Sequence, residues 1–145
     1  INHGSNPKDS SYLYAIIPEN KLDFIENFNK NDIKILSQNN FAHGVNFKNI
    51  TAINFWKESE NKVGIFSSKS PIALLAIDNK NNISISVSDP THKNSTVIFT
   101  IDGKYKLETI NTNIKTIVSQ NTTTITVSNL KNGATENFTL IPKES

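Results

Sequence analysis

The 145-residue chain contains no cysteine, which excludes a disulfide framework, thiolate zinc sites and a cysteine nucleophile. It contains no arginine either, because all 15 basic residues are lysine. The planar guanidinium fork that grips carboxylates and phosphates is therefore missing, and any hold on an acidic polymer rests on lysine charges that salt screens. The net formal charge is only +2, with a sequence pI near 8.8, which gives no concentrated basic face for nucleic acid. The longest apolar runs, Leu13–Ile17 and Ile72–Ile77, fall far short of the roughly 20 residues of a spanning helix, so no membrane partner is expected. The three histidines, His3, His43 and His92, lie far apart without HxH or HxxxH spacing. Asp78-Asn79-Lys80-Asn81-Asn82 lacks the glycine and terminal glutamate of a calcium loop, and reads as a hairpin turn. No metal or other cofactor is expected.

What is present is β-patterned almost throughout. One helical pattern, Asn20 to Asn29, has a capping Asn20 and apolar Leu22, Ile25 and Phe28, and is expected as a short connector. Asn29-Lys30-Asn31-Asp32 then gives a polar break, so the domains are expected as residues 1–30 and 31–145. Beyond it, Ile33 and Ile35 begin a strand, Phe41, Val45 and Phe47 mark another broken by Gly44, and Ile50–Lys57 and Val63–Phe66 follow around the charged turn Glu58–Lys62. Ile72–Ile77 reads as a strand covered on both sides, and Ile83–Ser88 alternates apolar residues with serine. Val97, Phe99 and Ile101 lead to Asp102-Gly103, a dipeptide typical of hairpins. Ile114–Val118 and Thr123–Val127 flank Gln120-Asn121, and Thr135–Ile141 ends at Pro142. Short strands at spacings of about 8–12 residues predict an all-β fold, an antiparallel β-sandwich.

The N-terminal stretch is a polar turn, His3-Gly4-Ser5-Asn6-Pro7, feeding the apolar strand Tyr12–Ile17 that Pro18 closes. It carries no charge from Ser10 to Pro18, so both strand faces are expected to be covered, and the chain reads as a piece of something larger. The order His3-Gly4, Pro7, Tyr12-x-Tyr14 and Pro18 resembles the end of the central β-domain of polysaccharide lyase family 8, which contains bacterial hyaluronate, chondroitin AC and xanthan lyases. Asn54-Phe55-Trp56 and Ser86-Val87-Ser88-Asp89-Pro90-Thr91 are similar to that family's C-terminal domain. From about Ser95 onward no motif adds to the match.

The resemblance implies a secreted, extracellular bacterial parent that cuts an acidic glycosaminoglycan by β-elimination, hyaluronate ahead of chondroitin or xanthan. An export signal would lie upstream, since the N-terminus here has no basic start or apolar core. Elimination removes the proton beside a uronate carboxyl and expels the 4-linked sugar, which requires a neutralised carboxylate and a positioned base. In the family a tyrosine, a histidine, an asparagine and a nearby arginine serve this, chiefly from a helical toroid domain. None of those motifs occurs in this sequence, so no catalytic residue is assigned and the chain alone is expected to be inactive. Its expected partners are the catalytic helical domain and central β-domain of the same polypeptide, with acidic polysaccharide bound by the whole enzyme.

Three residues are candidates for contact with substrate. His3 and Asn6 lie in the N-terminal turn, where His3 either fixes the turn by hydrogen bonding to backbone or borders a cleft. Trp56, the sole tryptophan, falls on the strand face opposite Ile53 and Phe55, which permits stacking on a sugar, although large aromatics in sandwiches are usually packing residues. Tyr12 and Tyr14 share one strand face and read as packing. An independent carbohydrate-binding module is the alternative, and a surface adhesive domain of immunoglobulin type is a third reading.

Overall fold

Side chains that alternate in and out at a period of two account for nearly every element of the structure, a computed structural model that describes residues 26–58 and 61–143. The expected helix Asn20–Asn29 lies largely outside the described residues, as do His3, Asn6 and the strand Tyr12–Ile17. The chain divides into two units, Ile1–Lys30 and Asn31–Ser145. Among the described residues the second is an all-β antiparallel sandwich, with one short 3-10 turn, Lys30–Asp32, at its start and another at Lys131–Gly133.

Among the described residues, twelve strands form two sheets. In chain order they are β1 (Ile33–Gln38), β2 (Ala42–Phe47), β3 (Ile50–Phe55), β4 (Asn61–Val63), β5 (Phe66–Ser68), β6 (Ile72–Asp78), β7 (Ile83–Ser88), β8 (Thr96–Asp102), β9 (Tyr105–Leu107), β10 (Ile114–Ser119), β11 (Thr122–Ser128) and β12 (Thr135–Pro142). The larger sheet runs β1-β2-β3-β6-β7-β12-β9, and the smaller β10-β11-β8-β5-β4. Their inner faces supply one core. Phe55, Ile72, Ile85 and Leu140 from the larger sheet meet Phe99, Ile101, Ile125 and Val127 from the smaller, all buried. Full burial of such side chains contributes about 1.5–3 kcal/mol each.

Four local expectations are corrected. Gly44 does not break its strand but lies within β2. There it faces inward, and a Cβ at Gly44 would stand 2.5 Å from Val63 Cγ1 on the opposite sheet, so the glycine permits a close approach of the two layers. Opposite it, β1 carries an irregular register between Ile35 and Ser37. Val63–Phe66 is not one strand: Gly64, at φ 60°, turns β4 back into β5.

Asp102-Gly103 does not make a hairpin either. β8 pairs with β11 and β5, whereas β9 pairs with β12 in the other sheet, so the dipeptide carries the chain between layers. The buried Thr123 hydroxyl directs this crossing, donating to the Gly103 carbonyl at 2.8 Å and accepting from the Tyr105 N–H at 2.9 Å. Finally, β6 is covered fully on one side only. Ile72, Leu74 and Ala76 are buried, but Leu75 on the outer face is 39% exposed.

That outer face is unusually apolar. The registers align Ile35, Val45, Ala52 and Leu75 across β1, β2, β3 and β6, with Ile50 beside Ile77 in the next row. Ile35 is 45% exposed and Ile50 37%. β7 and β12 continue the same face with Ser84, Ser86, Asn137 and Thr139.

Replacing Gly44 with valine should cost about 1–3 kcal/mol through overpacking against Val63. Denaturant unfolding checks this, and a change within about 0.5 kcal/mol would mean that the layers do not need the glycine.

Candidate functional site

The two-residue turn Lys48-Asn49 joins β2 to β3 and sets Phe47 opposite Ile50, which carries His43 opposite Asn54. Because Ala42, Ile53 and Phe55 point into the core, His43, Asn54 and Trp56 share the outer face. Trp56 is 44% exposed, and the His43 imidazole meets its ring edge to face, with ring centres 5.8 Å apart and planes at 85°. Trp56 thus stands outside the core, in contact with a histidine that the sequence pattern had weighed only for metal ligation.

The neighbouring turn holds this corner in place. Asn39 Oδ1 accepts hydrogen bonds from the Phe41 and Ala42 N–H groups at 2.8 and 2.9 Å, a local side-chain turn of the kind asparagine favours. The Ser37 hydroxyl donates to the Ala42 carbonyl at 3.0 Å, and the Trp56 N–H donates to the Phe41 carbonyl at 2.8 Å. Phe41 is left exposed, with the Lys57 ammonium 5.2 Å from its ring centre, within cation–π range. The result is a corner of two accessible aromatic rings, an imidazole and a lysine. His3 and Asn6 lie outside the described residues, so Trp56 is the one expected candidate that can be placed.

From this corner the registers run a row across the sheet, His43, Asn54, Ala73, Ser88 and Thr135. A groove of about 200 Å³ follows the row from Asn54 to Thr135, lined also by Ala52, Leu75 and Ser86 of the neighbouring row. Nothing in the composition of the segment pointed to Ser88 or Thr135. They enter through strand order, which puts β12 beside β7.

The Ser86–Thr91 segment ends β7 in a loop built on Asp89, which is fully buried. Its carboxylate accepts hydrogen bonds from the Thr91 N–H at 2.8 Å, the Thr91 hydroxyl at 2.7 Å and the Asn94 N–H at 2.6 Å. Burial pushes the carboxyl up, but the hydrogen bonds from Asn94, Thr91 and Lys93 together outweigh it and hold the group below 3.8. This loop is structural, since the carboxylate is spent on the loop's own N–H groups and the Thr91 hydroxyl. Tyr105, the one tyrosine among the described residues, is pushed up by burial and then by the charge of Asp78, so it stays a neutral phenol.

The description that matches residues 34–98 is the C-terminal beta-sandwich domain of polysaccharide lyase family 8. Both the Asn54–Trp56 and the Ser86–Thr91 segments fall inside it. Among solved structures, a chondroitin AC lyase of Streptomyces coelicolor A3, seen as a mutant and in complex with chondroitin sulphate, superposes with a TM-score of 0.69 at 13% identity. That likeness covers 79% of this chain and 16% of the lyase. A Paenibacillus xanthan lyase superposes with a TM-score of 0.71 at 25% identity, covering 80% of this chain and 12% of that one. No curated protein matches the chain. Residues 34–98 thus match the C-terminal β-sandwich domain of the family that the sequence resemblance named, the fold is shared with two of its lyases, and the chain spans only a small part of the lyases it resembles.

Two outcomes follow. Trp56→Ala should cost less than about 1.5 kcal/mol in unfolding experiments, whereas Phe55→Ala, one residue away and buried, should cost about 3–5 kcal/mol. Equal losses would put Trp56 in the packing. A carboxyl held below 3.8 stabilises the fold fully above that value and loses its contribution as pH falls through the folded-state value. The stability deficit of Asp89→Asn should accordingly be largest near neutral pH and shrink below 3.8. A deficit independent of pH would show that the charge is not what the loop uses.

Proposed function

We propose that the chain is the C-terminal, non-catalytic part of a secreted bacterial polysaccharide lyase, and that it braces the neighbouring β-domain of the same polypeptide. The observation that carries this is the apolar outer face of the larger sheet. Ile35, Ile50 and Leu75 are each more than a third exposed, and they lie in register with Val45, Ala52 and Ile77. An antiparallel sheet that faces water normally alternates apolar with polar residues, and a contiguous apolar patch marks a surface that another body covers. In lyases several times longer than this chain, the natural occupant is a preceding domain.

A silent role in chemistry is supported by the side chains. The chain has no arginine to neutralise a uronate carboxylate, and the raised Tyr105 phenol is the reverse of a tyrosine prepared to take a proton. The parent's substrate is proposed to be an acidic, uronate-bearing polysaccharide, with hyaluronan as the first polymer to assay and chondroitin and xanthan after it.

The parent polypeptide should release unsaturated uronate from at least one of these polymers, followed by its ultraviolet absorbance, while the 145-residue chain releases none. Turnover by the chain alone, or a parent inert on all three, would contradict the proposal.

A further inference from the structure

We propose that the row His43, Asn54, Ala73, Ser88 and Thr135, with the Trp56 ring packed against His43, binds an anionic polysaccharide laid across the strands. The row crosses five adjacent strands, β2, β3, β6, β7 and β12, a length of about 19 Å at the usual strand spacing. That is room for several sugar rings.

Its chemistry alternates as a sugar chain does. A pyranose offers a face of C–H bonds and a rim of hydroxyls. Trp56, 44% exposed, offers an aromatic face to the first, and Ala73 gives the groove an apolar floor. Asn54, Ser88 and Thr135 offer amide and hydroxyl groups to the second, and the side-chain amide can donate and accept at once. A few placed polar groups over an apolar base is the usual composition of a small-ligand site.

The charge of the row selects an anionic polymer. None of its five residues is a carboxylate, and His43 and Lys57 lie at its Trp56 end. Lys57 is held 5.2 Å from the Phe41 ring centre, which places its charge at the corner. With no arginine in the chain, the grip on a uronate is by point charge and so weakens with salt. The apolar rows through Ile35, Val45 and Ile50 lie beside this one on the same face. The same sheet thereby presents a docking surface and, at its margin, a glycan track.

This inference rests on the reading of the chain as part of a polysaccharide-acting protein, and its test is separate. Trp56 is the only tryptophan, so intrinsic fluorescence of the 145-residue chain reports on this corner alone. Titration with hyaluronan, chondroitin and xanthan oligosaccharides, and with neutral dextran oligosaccharides, should give a saturable change with at least one anionic series and none with dextran. His43→Ala and Lys57→Ala should each weaken that binding about fivefold or more. Lys115→Ala removes the same charge from the smaller sheet and should leave affinity within about twofold. No response to any anionic series would overturn the proposal, as would an equal response to dextran or an equal loss in Lys115→Ala. A parent without lyase activity would leave binding by the chain standing, and absent binding would leave lyase activity of the parent standing.

Discussion

The structure depends on one contact, the face-to-face packing of two sheets whose inner residues are Phe55, Ile72, Ile85 and Leu140 on one side and Phe99, Ile101, Ile125 and Val127 on the other. A strand has only two faces, so committing one to this core commits the other to the outside. The placement of Trp56 beyond Phe55, and of His43 beyond Ala42, follows from that commitment. A register slip by one residue in β3 would bury Asn54 and Trp56 and expose Ile53 and Phe55. The depth of the core holds the register, and the register assembles the surface.

The outer surface is divided accordingly. Toward β1, β2 and β3 it is aliphatic, and toward β7 and β12 it is hydroxyl and amide, with Ser86 donating to Asn137 at 2.6 Å. Ala73, Asn54 and His43 lie where these halves meet the aromatic corner. A sandwich that functioned alone would have reason to be polar over the whole of this sheet. The mixed face is better suited to a domain that is covered on one part and wetted on another.

Much of this is legible in the sequence. Ile83–Ser88 alternates so cleanly that its buried and outward residues could be named, and β10 and β11 meet at the expected Gln120-Asn121 turn. The family resemblance rested on three segments, of which Asn54–Trp56 and Ser86–Thr91 lie inside the matched region and His3–Pro18 lies outside it. What failed to be legible was long-range. Asp102-Gly103 has hairpin composition, but the Thr123 hydroxyl, about twenty residues on, takes the chain to the other sheet. Gly44 looked like a strand breaker because the partner it makes room for, Val63, belongs to the opposite layer. Ile72–Ile77 reads as covered on both faces because its composition is apolar on both, and composition cannot say whether the cover lies within the domain. The link between His43 and Trp56 was within reach, since a two-residue turn at Lys48-Asn49 sets the register that joins them.

The central claim is that the aliphatic half of the larger sheet is an interdomain surface. Hydroxyl-radical footprinting of Ile35, Ile50 and Leu75, in the 145-residue chain and in the parent polypeptide, tests it directly. The account predicts side chains that react readily in the chain and are protected in the parent, with Trp56 reactive in both. Equal reactivity of the three aliphatic residues in both proteins would contradict it.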